Sequence, residues 1–229
     1  FTGTRTGILT LYGYASLFAS LFGTPNHDGT GPLCGAASAL ATKMTQGFVG
    51  GGNAYLEDDL GSSRFYLFVG DNMAETRPVY FGMINDWRIK HGIRTVVVDP
   101  RQTPTAAKAD LWIPIRPGTD MALALAMMHR IITHDLVDHT FIDKWVSGYE
   151  EIRRFILEKQ YTPEWASKIT DIPSETIRTL ASEYALAKRA MTFVGRGVNQ
   201  HTNGLQTFRA FIMLSAITGN WGKKGAGVM

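Results

Sequence analysis

The sequence predicts an α/β protein built on an open parallel sheet with helices on both faces. Three observations carry this. Short, β-rich apolar runs recur along the chain: FYLFV at 65–69, TVVV at 95–98, LWIPI at 111–115 and MTFV at 191–194. Each is apolar throughout rather than alternating, as expected of strands covered on both faces. Helical segments separate them, which suits the right-handed crossovers that parallel pairing requires. Such crossovers gather all the strand C-termini on one edge, where open sheets bind ligands, and this is the Rossmann-like arrangement.

The elements follow in order. Residues 7–22 (GILTLYGYASLFASLF) carry apolar residues at helical spacing and read as a buried helix. GTPNHDGTGP is a loop dense in turn formers. Cys34 opens CGAASALATKMTQGF, whose small residues suit a closely packed helix, and Gly50-Gly51-Gly52-Asn53 breaks it. Asp58 to Ser63 lead into the first strand, Phe65–Val69. A helix over 79–91 stops at Gly92, and the second strand is Thr95–Val98. Ala106 to Asp110 form a short helical turn before the third strand, Leu111–Ile115. Asp120 is the expected N-cap of a buried helix, Met121–Thr133. Residues 135–189 read as three or four shorter helices, one announced by Pro173-Ser174-Glu175. The fourth strand, Met191–Val194, runs into GRGVNQ, and residues 204–217 form an amphipathic helix stopped by TGNWGKKGAG.

Bulk properties narrow the function classes. The 229 residues are 45% hydrophobic and 19% charged, an ordinary globular composition. The net charge of +3 is spread without a basic run longer than Lys223-Lys224, which argues against a nucleic-acid groove. No apolar stretch reaches the roughly 20 residues of a membrane span. With a single cysteine there is no internal disulfide and no cysteine cluster for zinc or an iron–sulfur centre. His129, His134 and His139 lack metal-ligand spacing and read as surface residues.

The strand-end turns hold the candidate chemistry. Gly70 after the first strand permits a tight turn and close ligand approach. Asn72, Glu75 and Thr76 follow it at a helix start, a place that favours phosphate. The turn is not G-x-G-x-x-G, so the dinucleotide fingerprint is absent. Asp99 ends the second strand, where an acidic residue accepts hydrogen bonds from ribose hydroxyls or base N–H groups. Arg101 can reach a phosphate or stack on a base. Gly118-Thr119-Asp120 and Gly195 to Gln200 supply similar turns. Each alone reads more simply as a capped helix start, but four at consecutive strand ends favour a nucleotide-bearing ligand. Cys34 reads first as a small core residue, and second as a thiolate for a soft metal centre.

Together GDNMAETRP (70–78), VVVDPRQTPTAAKADLWIPIRPGTDMALALAMMH (96–129), YTPEWASKITDIPSETIRTLA (161–181), GRGVNQHTNG (195–204) and LSAITGNWGKKGAG (214–227) resemble the molybdopterin oxidoreductase family. These are the dimethyl-sulfoxide-reductase-like enzymes with a bis(molybdopterin guanine dinucleotide) molybdenum centre. The resemblance covers nearly the whole chain. It implies a single domain over residues 1–229, the Rossmann-like pterin-binding one, excised from a larger multidomain catalytic subunit and inactive by itself. It implies that Asn72, Glu75 and Thr76 contact one guanylyl pterin near its phosphates. Asp99 would bind guanine or ribose with Arg101 beside it, and Gly118 and Asp120 would help hold the nucleotide end. Arg196 and Gln200 would face the pterin. Cys34 stands where the family places its molybdenum ligand, and FGTPN…LCGAAS is most similar to the Cys-ligated branch of polysulfide, thiosulfate, arsenate and nitrate reductases.

Two positions depart from the family pattern. Met73 replaces the proline of the usual G-x-N-P turn. Gly35 stands where formate dehydrogenases carry a catalytic histidine, which argues against that activity. The implied partners are the remaining domains of the same subunit, with an iron–sulfur cluster upstream, and an iron–sulfur electron-transfer subunit. Neither nucleic acid nor direct membrane insertion is expected. Two other readings are a molybdenum-free structural or electron-relay domain and a plain NAD-binding module. Cys34 and the Asp99 turn weigh against the first, and the missing fingerprint against the second.

Overall fold

The structure is a computed structural model that describes residues 13–29, 31, 34–47 and 60–229. Its centre is a five-stranded, wholly parallel sheet of β1 (Phe65–Val69), β2 (Arg94–Val98), β3 (Leu111–Ile113), β4 (Ala190–Val194) and β5 (Gly227–Val228). The strand order is β3-β2-β1-β4-β5. The chain thus builds outward from β1 in one direction, then returns to build from β1 in the other. The switch lies between β1, in register Phe65↔Ala190 through Val69↔Val194, and β4.

Alternation along the strands sorts side chains to two cores. Phe65, Leu67, Val69, Val96 and Val98 face one layer, and Tyr66, Phe68, Val97, Met191 and Phe193 the other. The second layer is covered by α4 (Pro78–His91), which follows the single-turn α3 (Met73–Thr76), and is centred on Phe68 stacked on Phe193 at 4.4 Å. The larger core belongs to α5 (Asp120–Thr133), α8 (Pro163–Thr170), α9 (Ser174–Leu186) and α11 (Gly204–Ile217), with α6 (His139–Trp145) and α7 (Tyr149–Glu158) around them. Helices on both faces with largely buried strands confirm the expected α/β class, and 135–189 contains four helices.

Several boundaries differ from expectation. The third strand stops at Ile113 because Pro114 has no N–H for the ladder, although Ile115 stays buried. Asp120 does not cap α5; it is the first helical residue, and Thr119 takes the N-cap position. Side-chain caps occur instead at Asp138, which accepts from Phe141 N at 2.9 Å, and Thr162, which accepts from Trp165 N at 3.1 Å. Ser174 begins α9 without a side-chain cap. The fifth strand was not expected; two residues with a glycine carry almost no pattern, yet they pair with Met191 and Thr192. α11 is less amphipathic than its sequence suggests, with nine of fourteen residues buried.

The largest correction concerns the first helix. Its described part, α1 (Ala15–Phe22), buries only Ala19, while Phe18 and Leu21 are 67% and 79% exposed. Helical spacing alone cannot say whether a partner surface lies within the same stretch of chain. Residues 7–12 and the Gly50–Asn53 break lie outside the described residues. α2 (Gly35–Gln46) packs on α11, burying Ala41 and Thr42 and leaving Leu40 and Met44 exposed. Among the described residues no helix is long and apolar enough to cross a membrane.

Candidate functional site

At the switch point the turns after β1 and β4 touch backbone to backbone. Gly195 N donates to Val69 O at 2.8 Å, and Gly197 N donates to Gly70 O at 3.2 Å. A Cβ on Gly195 would fall 2.1 Å from Gly70 O, so only glycine permits this approach. Gly70 has a positive φ of 55° and donates its N–H to Val98 O at 2.9 Å, which ties the turn to β2.

Beside this contact lies a cleft of about 220 Å³. Gly70 and Gly197 bound it on the switch side, Asp99 and Pro100 at the end of β2, and Pro117, Gly118 and Asp120 after β3; Ile115 and His201 complete the lining. Gly118 has φ +78°, and a Cβ there would stand 3.2 Å from Nδ1 of His201, so glycine keeps room for the imidazole.

The cleft is acidic. Asp99 and Asp120 are both buried, and among the described residues His201 is the single basic one in the lining. Burial pushes the Asp120 carboxyl up to about 6; a hydrogen bond from its own backbone and the nearby His201 oppose the rise, and Asp99 adds to it. Asp99 Oδ1 accepts from Arg101 N at 2.9 Å, and its backbone carbonyl accepts from Trp112 Nε1 at 2.8 Å. The carboxylate is thereby held in a turn locked to β3.

Of the residues expected from sequence, Gly70, Asp99, Gly118 and Asp120 converge on this cleft. Asn72, Glu75, Thr76 and Arg101 do not line it. Asn72 Oδ1 accepts from Thr105 Oγ1 at 3.0 Å, and Thr105 Oγ1 accepts from Ala74 N at 2.9 Å, which pins the turn. Thr76 Oγ1 donates back to Asn72 O at 3.1 Å. Glu75 and Arg101 form an exposed pair at 3.1 Å. The helix that follows Asn72 is only four residues long, and the fourteen-residue helix begins at Pro78. The expected phosphate-favouring helix start is therefore reduced to one turn.

Arg196 opens the four-residue α10 (Arg196–Asn199) just after Gly195, with Nη1 3.5 Å from Ser38 Oγ in α2. This contact joins the switch-point turn to the helix that Cys34 precedes. Cys34 is a half-buried free thiol at the N-cap of α2, and Gln200 is exposed after α10. Among the described residues no cluster of three or more His, Cys, Asp or Glu could hold a metal.

Two features escaped the sequence reading. His201 lies within the GRGVNQHTNG segment, but no role was expected of it there. Asp71, between Gly70 and Asn72, is buried and salt-bridged to Arg77 at 2.6 Å. Burial raises the pKa of its carboxyl, against the pull of Arg77 and Arg196.

Sheet order, switch point and glycine-floored cleft define a doubly wound α/β domain of the kind that takes ligands across its strand ends. Residues 3–229 match the molybdopterin oxidoreductase family, and the chain belongs to it. It is 41% identical over 189 residues to a probable dimethyl sulfoxide reductase chain of Escherichia coli, covering 73% of this chain and 23% of that protein. It is 33% identical over 223 residues to formate dehydrogenase H of the same organism, covering 97% of this chain and 30% of the relative. The solved structure of acetylene hydratase from Pelobacter acetylenicus superposes with a TM-score of 0.78 at 30% identity, covering 94% of this chain and 29% of that one. The chain thus spans less than a third of these relatives. Family membership implies a molybdenum–pterin cofactor and links the chain to oxidoreductases.

Proposed function

We propose that this chain holds the nucleotide end of a bis(molybdopterin guanine dinucleotide) cofactor and supplies Cys34 as a molybdenum ligand. The observation that carries the first part is the pair of buried carboxylates, Asp99 and Asp120, in a cleft that no described lysine or arginine lines. Such a cleft repels phosphate and welcomes N–H and O–H donors. Guanine presents N1–H and the 2-amino group side by side, a two-donor edge that one carboxylate can accept, and ribose hydroxyls suit the other. The glycine contact of Gly70 with Gly195 and Gly197 leaves the backbone bare where a planar ligand would lie. The phosphates belong outside the acidic lining, toward Asn72, Glu75, Thr76 and Arg101, and the pterin toward Arg196 and Gln200.

The donor chemistry also fits. A single thiol suits a metal whose other ligands come from the pterins, and thiolate is a soft donor. When bound, the molybdenum centre supplies two-electron transfer at the substrate atom. This chain would position the cofactor through Asp99, Asp120 and the glycine turns, and would complete the metal's ligand set through Cys34. The substrate class we favour is that of a respiratory reductase of the polysulfide, thiosulfate, arsenate or nitrate type. Gly35 beside Cys34, in place of a histidine that could move a proton, supports reduction over formate oxidation. The remaining domains of the subunit and an iron–sulfur electron-transfer subunit are the proposed partners.

Two measurements test this. In the full-length protein, Cys34→Ser should alter the molybdenum(V) resonance spectrum and abolish turnover; an unchanged spectrum and activity would rule out the ligand role. Guanosine nucleotides should bind in preference to NAD, and Asp99→Asn should weaken them. Selective NAD binding would overturn the cofactor assignment.

A further inference from the structure

The sheet edge opposite the cleft carries cations at three neighbouring strand starts. Arg64 directly precedes β1, Lys188 and Arg189 precede β4, and Lys223 and Lys224 lie in the turn before β5. β4 sits between β1 and β5 in the sheet. Five positive residues therefore fall along a strip three strands wide, roughly 10 Å at ordinary strand spacing, in a chain whose net charge is only +3.

The three turns are tied together. Arg64 N donates to Arg189 O at 2.9 Å, Ala190 N donates to Asn220 Oδ1 at 2.9 Å, and Ser63 Oγ donates to Gly225 O at 2.6 Å. Asn220 is fully buried and also donates to Thr218 Oγ1 at 2.9 Å. Gly225 has φ +75°, and a Cβ there would lie 2.5 Å from Ser63 N, so the lysine turn is seated directly on the Arg64 turn. The cations are displayed on a rigid base and cannot drift apart as they would on independent loops.

Arg64, Lys188 and Lys223 are exposed and Arg189 is half-buried. None of these four forms an ion pair with a described residue. Of the nearby acids, Asp138 caps α6 while also attracting Lys223, and Glu183 pairs with Arg94 at 3.2 Å. The pKa of Lys223 is lowered by partial loss of solvent around its amine; Asp138 opposes this, and Arg189 and Lys188 add to it. Like charges fixed side by side repel, and an anionic partner relieves that repulsion.

We infer that this edge is a docking surface for the acidic face of another protein. Leu186, 63% exposed two residues before Lys188, adds an apolar contact of the kind protein interfaces use. One leucine is too little apolar surface for insertion into a bilayer interface. Trp221, the aromatic nearest the lysine turn in sequence, packs on the core and is not presented for stacking on bases. Docking here leaves the cofactor edge free, since the two lie at opposite ends of every strand.

The test uses the full-length protein and three probes: short poly-L-glutamate, phosphatidylglycerol vesicles and an oligodeoxythymidylate. Arg64→Glu, Lys188→Glu and Lys223→Glu are combined in one variant. A control combines Lys108→Glu, Lys159→Glu and Lys168→Glu, the same charge change on exposed residues elsewhere. Poly-L-glutamate should bind the parent protein more tightly than either other probe, and more weakly at about 0.2 M than at about 0.02 M salt. The edge variant should lose about tenfold or more in affinity and the control should lose far less. If the edge variant misfolds by circular dichroism, the corresponding glutamine triple carries the comparison, with a smaller loss in the same direction. Equal loss in both variants, no binding of poly-L-glutamate, or tighter binding of vesicles or oligonucleotide would each overturn the inference.

Discussion

Replacing Asp120 with asparagine should stabilise the cofactor-free protein at neutral pH. The carboxyl is buried in the cleft and pushed up to about 6, mainly by loss of solvent. An unfolded chain returns it to the ordinary aspartate value of about 3.9. The folded state therefore prefers the protonated acid. Its contribution to stability is fully present below about pH 4 and is lost as pH rises through about 6. A difference of about two pH units corresponds to about 3 kcal/mol. Asp120→Asn keeps the shape and removes the charge, so it should gain up to about 3 kcal/mol at pH 7.5 and little at pH 4. Urea unfolding of both proteins across pH 4 to about 8 reads this as a widening gap in midpoint. The same variant should bind guanosine nucleotides less well, because the strained carboxylate is the group offered to the ligand. A gap that is constant with pH, or a variant less stable than the parent at pH 7.5, would refute the reasoning.

Other outcomes can be checked by thermal or denaturant melting. Gly195→Ala has an ordinary φ, but its Cβ would meet Gly70 O at 2.1 Å and Asp71 Cα at 2.5 Å. Backbone cannot yield as a side chain can, so a cost of about 3 kcal/mol is expected, lowering Tm by about 6–12 °C. Gly82→Ala, mid-helix in α4 with open space around its Cβ, should instead gain roughly 0.5–1 kcal/mol. Asn220→Ala strands the buried Ala190 N–H and should cost about 1–3 kcal/mol in urea unfolding. Thr162→Ala removes the cap on Trp165 N and should cost about 1 kcal/mol.

The four longer strands could be read from the sequence because each is a continuous run that burial on two faces demands. Three of the turns, at Gly70, Asp99 and Gly118-Asp120, could be placed on one ligand edge from topology alone, and the cleft brings these four residues together. What the sequence could not show was the third dimension of those turns. Asn72 is drawn away from the cleft by Thr105, thirty-three residues on, and Arg101 turns outward to Glu75. His201 enters the cleft from the GRGVNQHTNG segment, where nothing in the pattern set it apart from its neighbours. β5 is too short to leave a pattern, and α1 shows that an apolar stripe marks a surface to be covered without saying by what.

The strand order also bears on the sequence of events during folding. β1, β2 and β3 come from neighbouring stretches of chain and can pair early. The other wall of the cleft, Gly195 to His201, is added only when Phe65 finds Ala190, after seven helices have intervened. Pairing across so long a separation is slow, because loop closure must precede any gain from contact. On a growing chain the site is therefore incomplete until β4 has been made, and a ligand that needs both walls can be captured only afterwards. Once captured, it would hold the late-arriving β4 against β1 by mass action, so that loading and the final step of folding become one event.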